Sequence, residues 1–359
     1  MKEQDFIPAH CDAVIEKGKV TYRSPSNIAL VKYWGKKEHQ IPANPSVSFT
    51  LDSCATTTSI SYARLDSKGD DYSFELLFEG KPKEDFKPKI KIFLSRIEKY
   101  LPFIKQYHFI IETSNSFPHS SGIASSASGM SALALCVMHI EKQLRPEMTT
   151  TFFNQKASFL ARLGSGSACR SVEGSLVQWG KHDTKGSSDL FGIKYPYKVH
   201  SIFQNYHDTI LLVDKGQKQV SSTVGHDLMH NHPFAEQRFA QAHQNLTELK
   251  SVFERGDLEV FIKIVESEAL TLHAMMMTSM PYFILMKPNT LEIINKIWAF
   301  REQSKTHLCF TLDAGANVHV LYPESEKVEV HEFIQNELVR YCENGQYISD
   351  RTGSGAKRI

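Results

Sequence analysis

The sequence predicts an α+β fold in two domains, on three observations. Runs rich in β-branched residues are mixed with segments of helical period, without the regular alternation of a Rossmann-type sheet. The chain has 359 residues, enough for two separate cores. A serine-rich loop, Ser114–Ser131, feeds directly into a helical pattern. That junction gives the first half a place where backbone N–H groups and a helix dipole converge on an anion.

Residues 1–20 read as an appended arm. Strands are expected at 47–62 and 72–78, where Ser, Thr and β-branched residues alternate, and a helix at 90–100. A short strand at 108–112 leads to the serine loop. The helix after it, 125–142, carries Met130, Leu133, Val137 and Ile140 on one face. A helix at 150–163 stops at the Gly164–Gly166 turn, and 175–179 is strand-like. The second block begins near Ser201. It holds a strand at 208–214, helices at 233–255, 257–274 and 290–302, strands at 307–313 and 318–322, and a helix at 328–341. Met275–Met277 reads as core or interface packing. The tail 349–359, polar and rich in Gly and basic residues, is expected to be loose.

Composition narrows the classes. A 41% hydrophobic and 23% charged chain is ordinary for a globular protein, and a net charge of +1 offers no field for nucleic acid or an anionic membrane. The basic run Lys81–Lys91 is broken by acids and prolines and reads as a solvated loop. Six cysteines lie scattered without paired spacing, which favours a reducing, cytoplasmic setting over a disulfide framework. The opening Met-Lys-Glu-Gln-Asp-Phe has no apolar segment behind it, and no stretch of spanning length is uncharged and apolar. A soluble, intracellular protein is expected.

The serine loop is the sharpest chemical signal. It has no Gly-Lys-Ser/Thr, so it is no Walker A loop, yet it presents hydroxyls and free N–H groups at a helix start. A flexible linker would not lead straight into a patterned helix. Asp313 lies where the run 307–312 meets Ala314-Gly315, at the end of a strand. A carboxylate there can face a cleft and orient a hydroxyl, or bond its own turn; both readings stand on these residues alone. Lys32, between an apolar stretch and Tyr33-Trp34, should be partly buried and need a charged partner. Arg170 closes Gly164-Ser165-Gly166-Ser167-Ala168-Cys169-Arg170, where a guanidinium and small-residue amides could grip a phosphate or carboxylate.

Four segments in order, Ser24–Lys37, Ser114–Ser131, Ala161–Ser171 and Phe310–Tyr322, together resemble the diphosphomevalonate decarboxylases of the GHMP kinase superfamily. The resemblance implies two α+β domains, 1–200 for nucleotide binding and 201–359, with the active site in the cleft between them. It also implies a left-handed βαβ crossover in the first. The implied activity is ATP- and Mg²⁺-dependent decarboxylation of mevalonate 5-diphosphate to isopentenyl diphosphate, in a cytoplasmic homodimer without nucleic-acid or membrane partners. By the same resemblance Asp313 contacts the substrate's 3-hydroxyl and Lys32 lies near that centre. Tyr33, Lys36 and Arg170 hold the 5-diphosphate, and Ser165 and Ser167 frame the carboxylate and hydroxyl. Ser222, within Ser221–Thr223, touches substrate phosphate. Asn115, Ser125 and Ser126 attend the nucleotide, with Ser126 also at Mg²⁺.

The sequence departs from the family at Ser116-Phe117-Pro118-His119-Ser120-Ser121, where the family has Asn-Phe-Pro-Thr-Ala-Ala, and at Ala316, where it has Pro. His119 is either a surface residue or an influence on nucleotide choice. The alternatives are a phosphomevalonate decarboxylase, a mevalonate 3-kinase, and a catalytically silent binding protein of this fold. The presence of both Lys32 and Asp313 favours the full reaction.

Overall fold

The computed structural model describes residues 1–9, 13–67, 70–118, 123–216 and 222–359, with Ser222 and Thr223 by backbone alone. Its first half is organised on two long antiparallel strands, β1 (Lys17–Val31) and β2 (Ser46–Arg64). Their register breaks between Pro25 and Asn27, where proline has no N–H to give the ladder. Strand β1 was not expected from the sequence, because its Ser-Pro-Ser-Asn stretch masks the pattern. Nor are residues 1–20 simply an arm. Lys17–Val20 lie in β1, and Phe6 is buried with its ring 4.5 Å from that of Phe159.

Next come β3 (Ser73–Phe78), β4 (Lys81–Pro82), α1 (Lys87–Ile97), β5 (Tyr107–Asn115), α2 (Ser125–Leu144), α3 (Thr150–Gly164), β6 (Leu176–Trp179) and β7 (Ile193–Lys194). The basic run 81–91 is therefore a short strand and the first turn of α1, not a loop. The sheet runs β12-β1-β2-β5-β3-β4, where β12 (Lys357–Arg358) comes from the C-terminal tail, with β6 on β2 and β7 on β6; β3 and β5 pair in parallel. Met130, Leu133, Val137 and Ile140 of α2 are buried as their spacing requires. They share a core with Ile60, Phe109, Phe93 and Phe159 from β2, β5, α1 and α3.

The second half comprises β8 (His207–Leu211), α4 (Ser222–Asp227), α5 (Ala235–Arg255), α6 (Leu258–Met277), α7 (Pro288–Ser304), β9 (Cys309–Leu312), β10 (Val318–Tyr322), α8 (Lys327–Phe333), β11 (Tyr347–Arg351) and β12 (Lys357–Arg358). Its antiparallel sheet is ordered β11-β8-β10-β9. Asp257 caps α6, accepting from the Val260 N–H at 3.2 Å. The helix expected at 328–341 instead tightens and loosens, passing from α8 through a π turn (Ile334–Leu338) into a 3₁₀ turn (Val339–Tyr341). Met275 and Met276 are buried against Trp34 and Leu272, whereas Met277 is largely exposed.

One hydrophobic cluster joins the halves, packing Ile28, Leu30 and Phe49 of the first sheet against Leu246 and Phe261 of α5 and α6 and Ile210 of β8. The tail is not loose. Asp350 of β11 accepts the backbone N–H groups of Asp52, Ser53 and Cys54 at 3.0, 2.8 and 2.7 Å. Gly353 then runs so close to β2 that a Cβ would lie 2.5 Å from the Cα of Asp52. Its glycines let the tail lie against the sheet, and β12 pairs with β1.

Candidate active site

Strand β1 ends at Val31, so Lys32 is the first residue past the sheet, at the joint between the halves. Its side chain is 2% exposed, and Nζ lies 3.2 Å from Oδ1 of Asp313, the residue that follows β9. Burial lowers the Lys32 pKa, and the Asp313 carboxylate works against that shift by favouring the ammonium. The main-chain carbonyl of Asp313 accepts from the Gly315 N–H at 2.7 Å and from Nε2 of His273 at 3.1 Å, fixing the turn that carries the carboxylate. Burial holds His273 down to about 4, so its ring is neutral there.

The Lys32 backbone is held as firmly as its head group. Glu268 of α6 accepts the Lys32 N–H at 2.8 Å, and Arg238 of α5 donates to the Lys32 carbonyl at 3.1 Å. These two side chains form a fully buried ion pair, with Arg238 Nη1 3.0 Å from Glu268 Oε1. Asn44 adds a second donor to the same carbonyl at 2.9 Å. No local pattern signals this clamp, since Arg238, Glu268 and Lys32 meet only through tertiary packing.

Arg170 is 3% exposed, and its guanidinium donates to the side chains of Asn27 and Ser46. Among the described residues no carboxylate pairs with it. Its direct contacts are neutral, and the Asp313 carboxylate acts on it only at longer range, so the guanidinium retains its capacity for an anion. Arg170 lies over the Trp179 ring at 5.8 Å. Tyr33 packs against the same indole at 4.6 Å, and its buried hydroxyl has no hydrogen-bond partner among the described residues. A Cβ at Gly166 would come within 2.8 Å of that hydroxyl, so the glycine admits Tyr33 to the loop that carries Arg170. Lys36 Nζ lies 3.5 Å from Asp227 of α4.

At the other end of the same loop, the Ser165 hydroxyl lies 3.4 Å from that of Ser126, in the first turn of α2. The Ser167 carbonyl accepts from Asn27 at 3.2 Å. Ala124, immediately before α2, takes a left-handed backbone (φ 45°), an uncommon state for a residue with a Cβ. Asn115 Oδ1 accepts from Thr56 Oγ1 at 2.8 Å, and the Thr56 hydroxyl also meets Ser128. Asn115, Ser125 and Ser126 line one wall of a cleft of about 200 Å³. The same cleft has an apolar lining that includes Leu76, Phe78, Phe86 and Ile90. A planar base could lie against that lining with its phosphates toward the α2 start. The apolar lining was not recognised in the sequence, where these residues read only as strand and helix.

The structure thus brings Lys32 to Asp313, Tyr33 to the Arg170 loop, and Ser126 to Ser165. His119, Ser120, Ser121 and Ser221 lie outside the described residues, as do the side chains of Ser222 and Thr223. No group of three or more metal-ligating side chains occurs among the described residues. A two-domain α+β protein with a serine cradle, a buried Lys–Asp pair and a buried arginine whose direct contacts are neutral has the parts for moving a phosphoryl group to a hydroxyl.

The family comparisons define the class more closely. Residues 24–190 match the diphosphomevalonate decarboxylase-like N-terminal domain, and residues 209–356 match the mevalonate 5-diphosphate decarboxylase C-terminal domain. The chain belongs to the diphosphomevalonate decarboxylase family. It is 27% identical to the diphosphomevalonate decarboxylase of Ganoderma lucidum over 93% of this chain and 85% of that one. It is 28% identical to that of Saccharomyces cerevisiae over 87% and 79%. The fold matches the mevalonate diphosphate decarboxylase of Staphylococcus aureus with a TM-score of 0.80 at 26% identity, covering 98% of this chain and 100% of that one. A complex of MDDEF with MVAPP, AMPPCP and magnesium matches with a TM-score of 0.81 at 26% identity, over 96% and 99%.

Proposed function

We propose that this chain catalyses the ATP- and Mg²⁺-dependent decarboxylation of mevalonate 5-diphosphate, yielding isopentenyl diphosphate, ADP, phosphate and CO₂. The observation that carries the reading is the Lys32–Asp313 contact of 3.2 Å, within electrostatic reach of a buried Arg170 that has no carboxylate at ion-pair distance among the described residues. Asp313 orients the tertiary 3-hydroxyl and accepts its proton as the γ-phosphoryl group arrives. Lys32 balances the growing negative charge there. The 3-phosphate then leaves with its bonding electrons, and loss of CO₂ supplies the pair that forms the alkene.

Arg170, Lys36 and the Tyr33 hydroxyl hold the 5-diphosphate. Ser165 and Ser167 frame the carboxylate and hydroxyl, and Ser222 adds a phosphate contact. Asn115, Ser125 and Ser126 hold the nucleotide. The donor set suits ATP with Mg²⁺: hydroxyls at a helix start and, among the described residues, no dedicated cage, the pattern of an ion held mainly by phosphates and water. When bound, Mg²⁺ would supply charge neutralisation at the phosphates, with the Ser126 hydroxyl as a ligand.

The division into 1–200 and 201–359 belongs to this reading, supported by the two separate sheets. So do a cytoplasmic location, supported by five unpaired, buried cysteines among the described residues, and a homodimer. Exposed Met280, Tyr282 and Ile284 in one short segment suit a subunit interface. No helix among the described residues is long and apolar enough to cross a membrane.

The deciding experiment supplies Mg-ATP with mevalonate, its 5-phosphate or its 5-diphosphate and measures ADP and CO₂ together. Equal ADP and CO₂ from the 5-diphosphate is the expected result. ADP without CO₂ would mean a 3-kinase, and a preference for the 5-phosphate would move the enzyme to the monophosphate substrate.

A further inference from the structure

His226 of α4 sits where the substrate phosphates are proposed to bind, although no sequence motif drew attention to it. It is 8% exposed, and its ring packs on Tyr33 at 4.2 Å and Trp34 at 4.7 Å. Its Nδ1 lies 3.0 Å from the backbone nitrogen of Gly35. A backbone N–H can only donate, so Nδ1 is the acceptor and the single proton of the neutral ring resides on Nε2. Burial, reinforced by Lys36 and Arg170, lowers His226 to about 3 and keeps the ring neutral at physiological pH. No described residue accepts from Nε2. The next residue, Asp227, pairs with Lys36, so α4 brings His226 to the same cluster as Tyr33, Lys36 and Arg170.

Resting on the substrate proposed above, we infer that His226 is a specificity-determining residue that donates its Nε2–H to an oxygen of the substrate's diphosphate. The ring is nearly enclosed but Nε2 has no acceptor among the described residues, so its N–H is free to meet a ligand oxygen. A neutral donor beside two cations adds a directional bond without further charge repulsion. The Gly35 bond fixes both the tautomer and the ring, so the donor is set before substrate arrives.

The test uses calorimetric binding of mevalonate 5-diphosphate to the full chain, with KM for ATP as the control. His226→Asn keeps an acceptor for Gly35 but cannot place a donor at Nε2. Its Kd should rise about tenfold or more, the usual loss for a hydrogen bond to a charged group. His226→Gln, whose amide nitrogen can occupy the Nε2 position, should stay within about threefold of wild type, and the KM for ATP should not move in either. Two-bond ¹⁵N–¹H spectra of the histidine-labelled wild type should show the proton on Nε2, a readout that needs no substitution. A proton on Nδ1, or equal affinity of wild type and His226→Asn, overturns the inference alone. A wild type that does not bind the diphosphate overturns the substrate reading, and this inference with it.

Discussion

Lys32 and Asp313 are 281 residues apart in the chain and 3.2 Å apart in the structure, one at the end of a strand in each sheet. Neither half of the protein contains the pair by itself. Lys32 is almost wholly enclosed while Asp313 is 29% exposed, so the lysine forms the floor and the carboxylate faces the opening. A shift of one half against the other would separate them. The Arg238–Glu268 clamp on the Lys32 backbone resists that shift.

Glu268→Gln should therefore reduce both stability and rate. It leaves Arg238 charged in a site with no exposure to water, a change that typically costs roughly 3–5 kcal/mol. Thermal unfolding measures that loss. The paired variant Arg238→Met with Glu268→Leu should recover much of the Tm because no unpaired charge remains. Its kcat should stay low, since neither replacement can hold the Lys32 backbone.

Arg170→Ala and Lys36→Ala should weaken binding of mevalonate 5-diphosphate while leaving ATP binding almost unchanged. Each loses a charge-assisted contact worth about 1.5–3 kcal/mol, roughly 10- to 150-fold in affinity. Arg170→Ala should be the more severe, because Arg170 is buried and Lys36 already has Asp227 beside it. Steady-state kinetics with each substrate varied separately would measure this. A rise confined to the KM for ATP would reverse the assignment of the two subsites.

His273 gives the protein a pH dependence with a definite sign. Its folded pKa of about 4 lies below the ordinary histidine value near 6.5, so the unfolded chain binds the proton more readily. Stability from this group is complete above about pH 6.5 and is lost as pH falls toward 4, by up to about 1.4 kcal/mol per unit. His226, held to about 3, adds a loss of the same sign that continues to lower pH. His273→Gln can still donate to the Asp313 carbonyl but does not titrate. Its plot of Tm against pH from 7 to 4.5 should be flatter than that of wild type; parallel plots would mean His273 does not carry this dependence.

The helices and most strands were legible because their apolar periods are regular: Met130, Leu133, Val137 and Ile140 sit on the buried face of α2 as their spacing required. The residues of the Lys32–Asp313 pair could be named from local context, Lys32 by its apolar flanks and Asp313 by its strand-end turn. The parts that depend on distant contacts were not legible. Strand β1 hides behind Ser24-Pro25-Ser26-Asn27, whose polar side chains are buried through bonds to residues as remote as Ser171 and Ile123. The tail looked mobile because its glycines resemble those of a linker. In the structure the same glycines permit close packing on Asp52 and Val172. His226 was passed over because its meaning depends on one backbone N–H, that of Gly35, 191 residues away.

The role of Asp313 is tested by the turnover of Asp313→Asn, taken together with a fluorescent ATP-analogue titration. The substitution keeps the shape and hydrogen-bonding capacity of the side chain but removes the charge that faces Lys32 and that the proposed reaction uses to accept the hydroxyl proton. Its kcat should fall by roughly 10²–10⁴, the span of general-base catalysis, while nucleotide affinity stays at the wild-type value. A variant that retains more than about a tenth of wild-type kcat would contradict that role, and would leave Asp313 as a residue that only shapes its own turn.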